Sequence, residues 1–259
     1  MSARNTKKIF FFLVVTTLFG VNSRATSKNE NKLSALKMLE VDSIYNQAKD
    51  NFNLFTQNLY AKTNDSTLNY LAFKQAITGY MNMYKRNEIN IERYLTIIDF
   101  SKPSNEERLF IFDVCDQKMV YKSIVSHGQK SGGLYARKFS NVNNSHQSSI
   151  GFYVTTSTYQ SRKYKLALRL AGKEYTNSHA SSRGVVMHAA DYATYEFLEK
   201  YGTLGRSYGC PALPHKNFEQ VVSWIKNGSC MYIYYPNRSY QRHSKYLNKK
   251  DYLSDFISA

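Results

Sequence analysis

Cysteine is scarce in this chain, three among 259 residues. Three are too few for a small fold stapled by disulfides, and the odd number leaves at least one thiol unpaired or intermolecular. Glycine (12) and proline (4) are also sparse, which excludes a collagen-like or linker-dominated chain. Acidic residues number 19 against 35 lysines and arginines, a formal net charge of +16, so the chain is drawn to polyanions. Yet no zinc spacing, no helix-turn-helix pattern and no basic run interleaved with aromatics is present, and no nucleic-acid partner is expected. His127, His146, His179, His215 and His243 stand at no ligand spacing to cysteine or acidic residues, so neither a metal nor another cofactor is expected. No serine is read as a nucleophile, and no phosphate-binding glycine loop is found.

What is present suits a globular protein. Hydrophobic residues make up 42%, enough for a core, and the length fits one domain with an appendage or two small ones. Residues 1–25 read as a secretory signal: Lys7 and Lys8 precede an apolar run over 9–21, and Val21-Asn22-Ser23 and Ser23-Arg24-Ala25 offer cleavage sites. The run is shorter than the roughly 20 apolar residues of a membrane span. An uncleaved anchor is the competing reading. Removal of 1–25 takes away Arg4, Lys7, Lys8 and Arg24 and no acid, which lowers +16 to +12. An exported protein of that charge is expected to meet an anionic envelope polymer, with no stable membrane span after signal removal.

Residues 26–100 read as helical. Phe73, Ala76, Ile77, Tyr80 and Tyr84 recur on one helical face, after candidate caps in Asn64-Asp65-Ser66-Thr67. The texture changes after Ser101-Lys102-Pro103-Ser104. Residues 109–114 and 119–125 read as a β-hairpin, with further strands at 150–155, 166–170, 185–188 and 231–235. Short strands at irregular spacing predict a mainly β sandwich or barrel. Phe218, Val221, Val222 and Ile225 form one late helical stripe, with Gly228 as its stop.

Cys210 sits in Gly205-Arg206-Ser207-Tyr208-Gly209-Cys210-Pro211, a polar stretch unlike the apolar runs that hide structural cysteines. Glycine beside a nucleophile lets the backbone turn tightly and aim N–H groups at a reacting carbonyl. Arg206 adds charge that favours a thiolate. His188 ends an apolar strand candidate, where a strand would deliver it to a site, and histidine is the usual base for a cysteine. An ordinary buried cysteine and a structural histidine remain the competing readings. Cys115 and Cys230 are open to pairing with each other, which would leave Cys210 free.

These same residues carry a resemblance. His188-Ala189 followed by Ser207-Tyr208-Gly209-Cys210 resembles the motif of the L,D-transpeptidase catalytic-domain family (YkuD-type), in its murein L,D-transpeptidase branch. Ordered blocks extend the likeness over about residues 70–236: Leu95-Thr96-Ile97-Ile98-Asp99-Phe100-Ser101, Val125-Ser126-His127-Gly128, Ser131-Gly132, Phe139-Ser140-Asn141 and Ser148-Ser149-Ile150-Gly151-Phe152-Tyr153. The resemblance implies a mainly β (α+β) fold, a YkuD-type β-sandwich or barrel, at 95–240. A signal peptide (1–25) and a helical N-terminal segment (26–94) precede it, and a C-terminal tail (241–259) follows. It further implies Cys210 as nucleophile, His188 as base steadied by a backbone carbonyl, and N–H groups at Gly209 and Cys210 as oxyanion donors. Tyr153 would line the substrate groove, Ser207 and Tyr208 would touch substrate, and Arg183 and Arg206 would hold stem carboxylates. The implied reaction is 3-3 cross-linking of peptidoglycan stem peptides through a thioester in a bacterial periplasm or envelope, with acylation by carbapenems. An L,D-carboxypeptidase or another envelope thiol hydrolase is the alternative, and a non-catalytic wall-binding module a further one. Ala189 in place of glycine and Pro211-Ala212-Leu213 without an arginine depart from the broader family and bear on substrate preference.

Overall fold

The computed structural model describes residues 23–162 and 165–257. The expected leader at 1–25 lies outside them except for its last three residues. Residues 1–45 and 46–259 group as two units. In the first, the described residues are helical, the start of α1 (Ser23–Ala61), with Leu33, Leu36, Met38, Leu39 and Val41 exposed. No helix among the described residues is long and apolar enough to cross a membrane.

The second unit holds everything else, so the boundary expected at 94/95 falls inside one compact body. Helix α2 (Tyr70–Lys85) buries Phe73, Ala76, Ile77 and Tyr80 of the face expected from the sequence, while Tyr84, the fifth residue of that stripe, lies exposed near the helix end. Its cap is Asn69, not one of residues 64–67. Asn69 Oδ1 accepts from the N–H groups of Leu71 and Ala72, while Asp65 closes the preceding turn through Thr67 N–H. A cap of this kind is worth about 1 kcal/mol. The helix is capped at Arg86 and followed by Asn87 in a left-handed conformation (φ 53°), and strand β1 (Ile91–Asp99) comes next, where the sequence reading continued the helix to residue 100.

Seven more strands follow: β2 (Leu109–Asp113), β3 (Lys118–Ser123), β4 (Gly151–Ser161), β5 (Lys165–Gly172), β6 (Val186–Ala189), β7 (Ala212–Leu213) and β8 (Ser229–Tyr234). They form one sheet in the order β3-β2-β1-β8-β4-β5-β6-β7. The β1–β8 and β6–β7 pairs are parallel and the others antiparallel. Beyond β3 the chain continues to Ser126, which bridges Ala212 of β7, so the two edges of the sheet meet. The sheet is a nearly closed barrel, one of the two architectures expected, and closure removes exposed edges.

Helix α2 packs on β1 and β8, with Phe73 edge-on to Phe112 at 5.3 Å. Gly79 in α2 lies over Phe152, where a Cβ would sit 2.0 Å from the ring. The late helix appears as α4 (Phe218–Ile225), after α3 (Tyr195–Tyr201). The residues expected to be a tail are instead built into the fold through α5 (Arg238–His243) and a 3-10 helix (Asp251–Phe256). Asn82 in α2 donates to the Tyr246 and Lys249 carbonyls, and Phe52 packs on Tyr252 and Phe256. Buried Glu174 accepts from Tyr240 and Ser244 and from Phe152 N–H. None of the three cysteines is in a disulfide. Cys115 is exposed and Cys230 is buried with Sγ 3.7 Å from Met83 Sδ, so they do not form the pair weighed above.

Candidate active site

The parallel register of β6 and β7 positions the two reactive candidates. His188 pairs with Ala212 and Ala189 with Leu213. Cys210 lies two residues ahead of Ala212, in the segment that leads into β7, and Val186 N–H points at its Sγ from 3.5 Å. Val186 and His188 lie two apart on one strand and so share a face. A segment that includes helix α3 separates His188 from Cys210 in sequence; the strand pairing brings them to neighbouring segments. Cys210 is partly exposed and His188 fully buried.

His188 Nδ1 lies 2.9 Å from the Ala189 carbonyl oxygen. A carbonyl only accepts, so the hydrogen sits on Nδ1, and the lone pair of the neutral ring is on Nε2. Asp191, which follows closely in sequence, pairs instead with His215 at 2.8 Å on the surface.

The turn before Cys210 is held by Ser207. Its Oγ accepts from Gly209 N–H at 3.0 Å and donates to the Cys210 carbonyl at 2.6 Å. Residues 205–209 do have Gly-x-Ser-x-Gly spacing, which the sequence reading passed over. Ser207 is buried and its hydroxyl spans the turn, so it is a clasp and presents no nucleophile or substrate contact. Gly209 adopts φ 122°, and a Cβ there would meet Gln147 O at 2.7 Å and Arg183 Nη2 at 3.3 Å. Only glycine fits. Its N–H is committed to Ser207, so of the two expected oxyanion donors this one serves the turn.

The loop between β3 and β4 walls the site. Ser126 Oγ donates to Gly205 O and Ser126 N–H to Ala212 O (2.8 Å). Ser207 N–H donates to His127 O (3.0 Å), and Gln129 N–H to Ser207 O (2.7 Å). Ser148 Oγ accepts from Gly128 N–H and donates to Gly209 O at 3.1 Å. Arg183 donates to Ser140 O, Ser149 Oγ, Ser145 Oγ and Gln147 O, which fastens the loop across from Gly209. Burial pulls the Arg183 pKa down against the favourable charge of Tyr153 and Cys210.

The other expected binding residues divide by exposure. Tyr153 is fully buried, its hydroxyl bonded to Ser149 O at 3.0 Å and its pKa pushed up by burial; it stands behind the wall and does not line a groove. Arg206 is exposed and donates to Gly132 O at 3.1 Å. Tyr208 is 63% exposed and stacks on His146 at 4.5 Å. Tyr208, His146, Arg183, Ser182, Asn143 and Asn144 line a polar cleft of about 310 Å³. On the Arg206 side a larger cleft, about 510 Å³, is walled by Leu134, Phe197, Tyr201 and Leu204.

Sequence reasoning missed Arg108. It is fully buried and donates to Val125 O through two nitrogens, to Lys102 O and to His127 Nδ1 (2.8 Å). Burial lowers its pKa to about 9, which leaves it cationic at neutral pH. An arginine at the edge of an apolar strand was the only signal. Among the described residues no group of three or more metal-ligating side chains converges.

A barrel with cysteine and histidine on adjacent parallel segments defines a scaffold suited to acyl transfer. The chain matches a family model described as "L,D-transpeptidase catalytic domain" over residues 64–234, and it belongs to that family. No curated protein matches it. Among solved structures it is similar to an L,D-transpeptidase from Mycobacterium smegmatis (14% identity, TM-score 0.35, covering 55% of this chain and 59% of that one). A second is an L,D-transpeptidase from Mycobacterium tuberculosis H37Rv (15%, TM-score 0.37, 55% and 58%). A third is L,D-transpeptidase 3 from Mycobacterium tuberculosis in complex with a faropenem-derived adduct (14%, TM-score 0.36, 55% and 60%). The chain spans less than two thirds of the length of each of these structures.

Proposed function

We propose that the protein is a cysteine-dependent L,D-transpeptidase that joins peptidoglycan tetrapeptide stems by 3-3 cross-links, acting outside the bacterial cytoplasm in the periplasm or envelope. The observation that carries this is the parallel pairing of His188 with Ala212, which sets Cys210 beside the strand that bears a histidine of fixed tautomer. Family membership supports the reaction class.

In this mechanism His188 Nε2 takes the thiol proton and the Cys210 thiolate attacks the carbonyl at the L-centre of the third stem residue. As the tetrahedral intermediate collapses, the C–N bond to the terminal D-alanine breaks and the imidazolium returns the proton to the leaving amine. A thioester to Cys210 remains. An amine of a second stem attacks the thioester carbonyl and gives its proton to His188; the C–S bond breaks, the product leaves as the new amide, and the imidazolium returns the proton to the Cys210 thiolate. Arg206 and Tyr208, exposed on either side of the turn, are suited to touch the stem, and the basic surface to hold the enzyme near an anionic wall.

Incubation with a disaccharide-tetrapeptide, read by mass spectrometry, tests the proposal. A cross-linked dimer lacking one D-alanine is expected; tripeptide alone means hydrolysis, and unchanged substrate overturns the enzymatic reading. A carbapenem is expected to leave a covalent adduct on the wild type and none on Cys210→Ala. An adduct that persists in the variant refutes the nucleophile.

A further inference from the structure

The reaction above makes no use of Arg108 or His127, both buried, both outside the motif that bears Cys210. We propose that they are positioning residues for the catalytic turn, acting as one buried brace that sets Gly209 and Cys210 in register with β6. This inference rests on the transpeptidase reading for its consequence and on the contacts below for its content.

Arg108 is a cation with no exposure, and such a group persists only where its N–H donors are satisfied. Its acceptors are Val125 O, Lys102 O and His127 Nδ1, and its guanidinium lies over the Phe100 ring at 4.9 Å. An arginine only donates, so Nδ1 of His127 must be the acceptor and the ring hydrogen must sit on Nε2, which faces Gly132 O at 3.4 Å. The neutral form is enforced: burial and the Arg108 charge hold His127 down to about 4. The imidazole therefore reads two points at once, the guanidinium on one side and the Gly132 carbonyl on the other.

Those two points fix the short stretch 125–132, and that stretch grips the catalytic turn from three directions. Ser126 holds Gly205 and Ala212, at the turn's entry and exit. The backbone of His127 and Gln129 bonds both sides of Ser207. Gly128 reaches Gly209 O through Ser148 Oγ, and Ser131 Oγ receives Ser148 N–H at 2.9 Å. Ser148 Oγ on Gly209 O and Ser207 Oγ on Gly209 N–H are the two hydroxyls that hold Gly209. A shift of 125–132 is thus passed to the atoms flanking the nucleophile, and reacting groups tolerate little displacement.

The test is made in a Cys115→Ser background, where buried Cys230 leaves Cys210 as the reactive thiol. His127→Leu removes the acceptor of Arg108; His127→Asn restores an acceptor at the position of Nδ1. Iodoacetamide alkylation of Cys210 and turnover of tetrapeptide stem are measured alongside thermal melting. For His127→Leu, alkylation and kcat are each expected to fall about tenfold or more with KM within about twofold, and His127→Asn to recover most of the loss. Unchanged alkylation in folded His127→Leu overturns the proposal, as does an equal loss in both variants, which marks a packing role alone. If His127→Leu yields no folded protein, Ser148→Ala carries the same readout: slowed alkylation supports the brace and a wild-type rate refutes it. Failure of the transpeptidase reading looks different, since wild-type protein would then alkylate at Cys210 and still leave the stem unchanged.

Discussion

Acid should loosen this protein through His127 before it protonates most carboxylates. In the folded state the ring is 1% exposed beside a guanidinium, and both effects favour the neutral form, with a pKa near 4 against 6.5 for an unfolded histidine. The unfolded chain therefore binds one more proton than the folded chain between those values, so stability rises with pH across the window and is lost as pH falls from about 6.5 through about 4. A difference of about 2.5 pKa units at about 1.4 kcal/mol each amounts to about 3 kcal/mol lost by pH 4, about a hundredfold in the folding equilibrium. Glu88 and Asp113 are held below the usual carboxylate range, Glu88 at about 2, so their contributions are lost lower on the scale. The assay is urea unfolding of wild type and His127→Asn at pH 7 and pH 4. Asparagine does not titrate, so the variant should lose about 3 kcal/mol less than the wild type over that interval. Parallel losses in the two proteins would mean that His127 is not held neutral by its burial and by Arg108, and the electrostatic reasoning fails.

Other expectations follow from single contacts. Gly79→Ala should destabilise by about 1 kcal/mol or more by thermal melting, although alanine favours helix, because its Cβ would lie 2.0 Å from Phe152, a ring stacked on Tyr232 at 4.2 Å; a raised melting point contradicts the packing. Gly209→Ala should cut kcat/KM on a tetrapeptide stem by about a hundredfold, since φ of 122° and Gln147 O at 2.7 Å leave no room beside the nucleophile; wild-type turnover refutes this. A thiol reagent should titrate Cys115 and Cys210 in the native protein and reach Cys230 only on unfolding, because burial both shields that thiol and pushes its pKa well up. Raised salt should weaken binding to isolated cell walls while turnover of a small soluble stem holds; equal sensitivity of both removes the role given to the basic surface.

The sequence shows most clearly what repeats locally. The face of α2 and the stripe of α4 recur at helical spacing, and the apolar runs of β2 and β8 are continuous because both strands are buried on both sides. The start of β1 was misread because Ile91-Glu92-Arg93-Tyr94 mixes charge with apolar residues at the strand's exposed beginning, and β7 is only two residues long. The C-terminal segment has no periodic pattern at all. It folds because Asn82 and Glu174, distant in sequence, capture its carbonyls and hydroxyls.

The site divides along the same line. Cys210 and its glycine are visible as a local motif, but the register that sets them beside β6 belongs to strand pairing, which no spacing encodes. Arg108 is harder still, because three of its four hydrogen bonds go to main-chain carbonyls. Every sequence supplies such carbonyls, so a buried cation that binds them leaves no complementary acid to search for. Among the described residues His127 is its one side-chain acceptor, and the sequence alone showed that histidine inside a block of the family resemblance without pointing to Arg108 as its partner. A positioning network built from backbone acceptors and serine hydroxyls can therefore be as exacting as a charged triad and still be almost silent in composition. This is why a search for titratable clusters passes over the brace and finds only the thiol it supports.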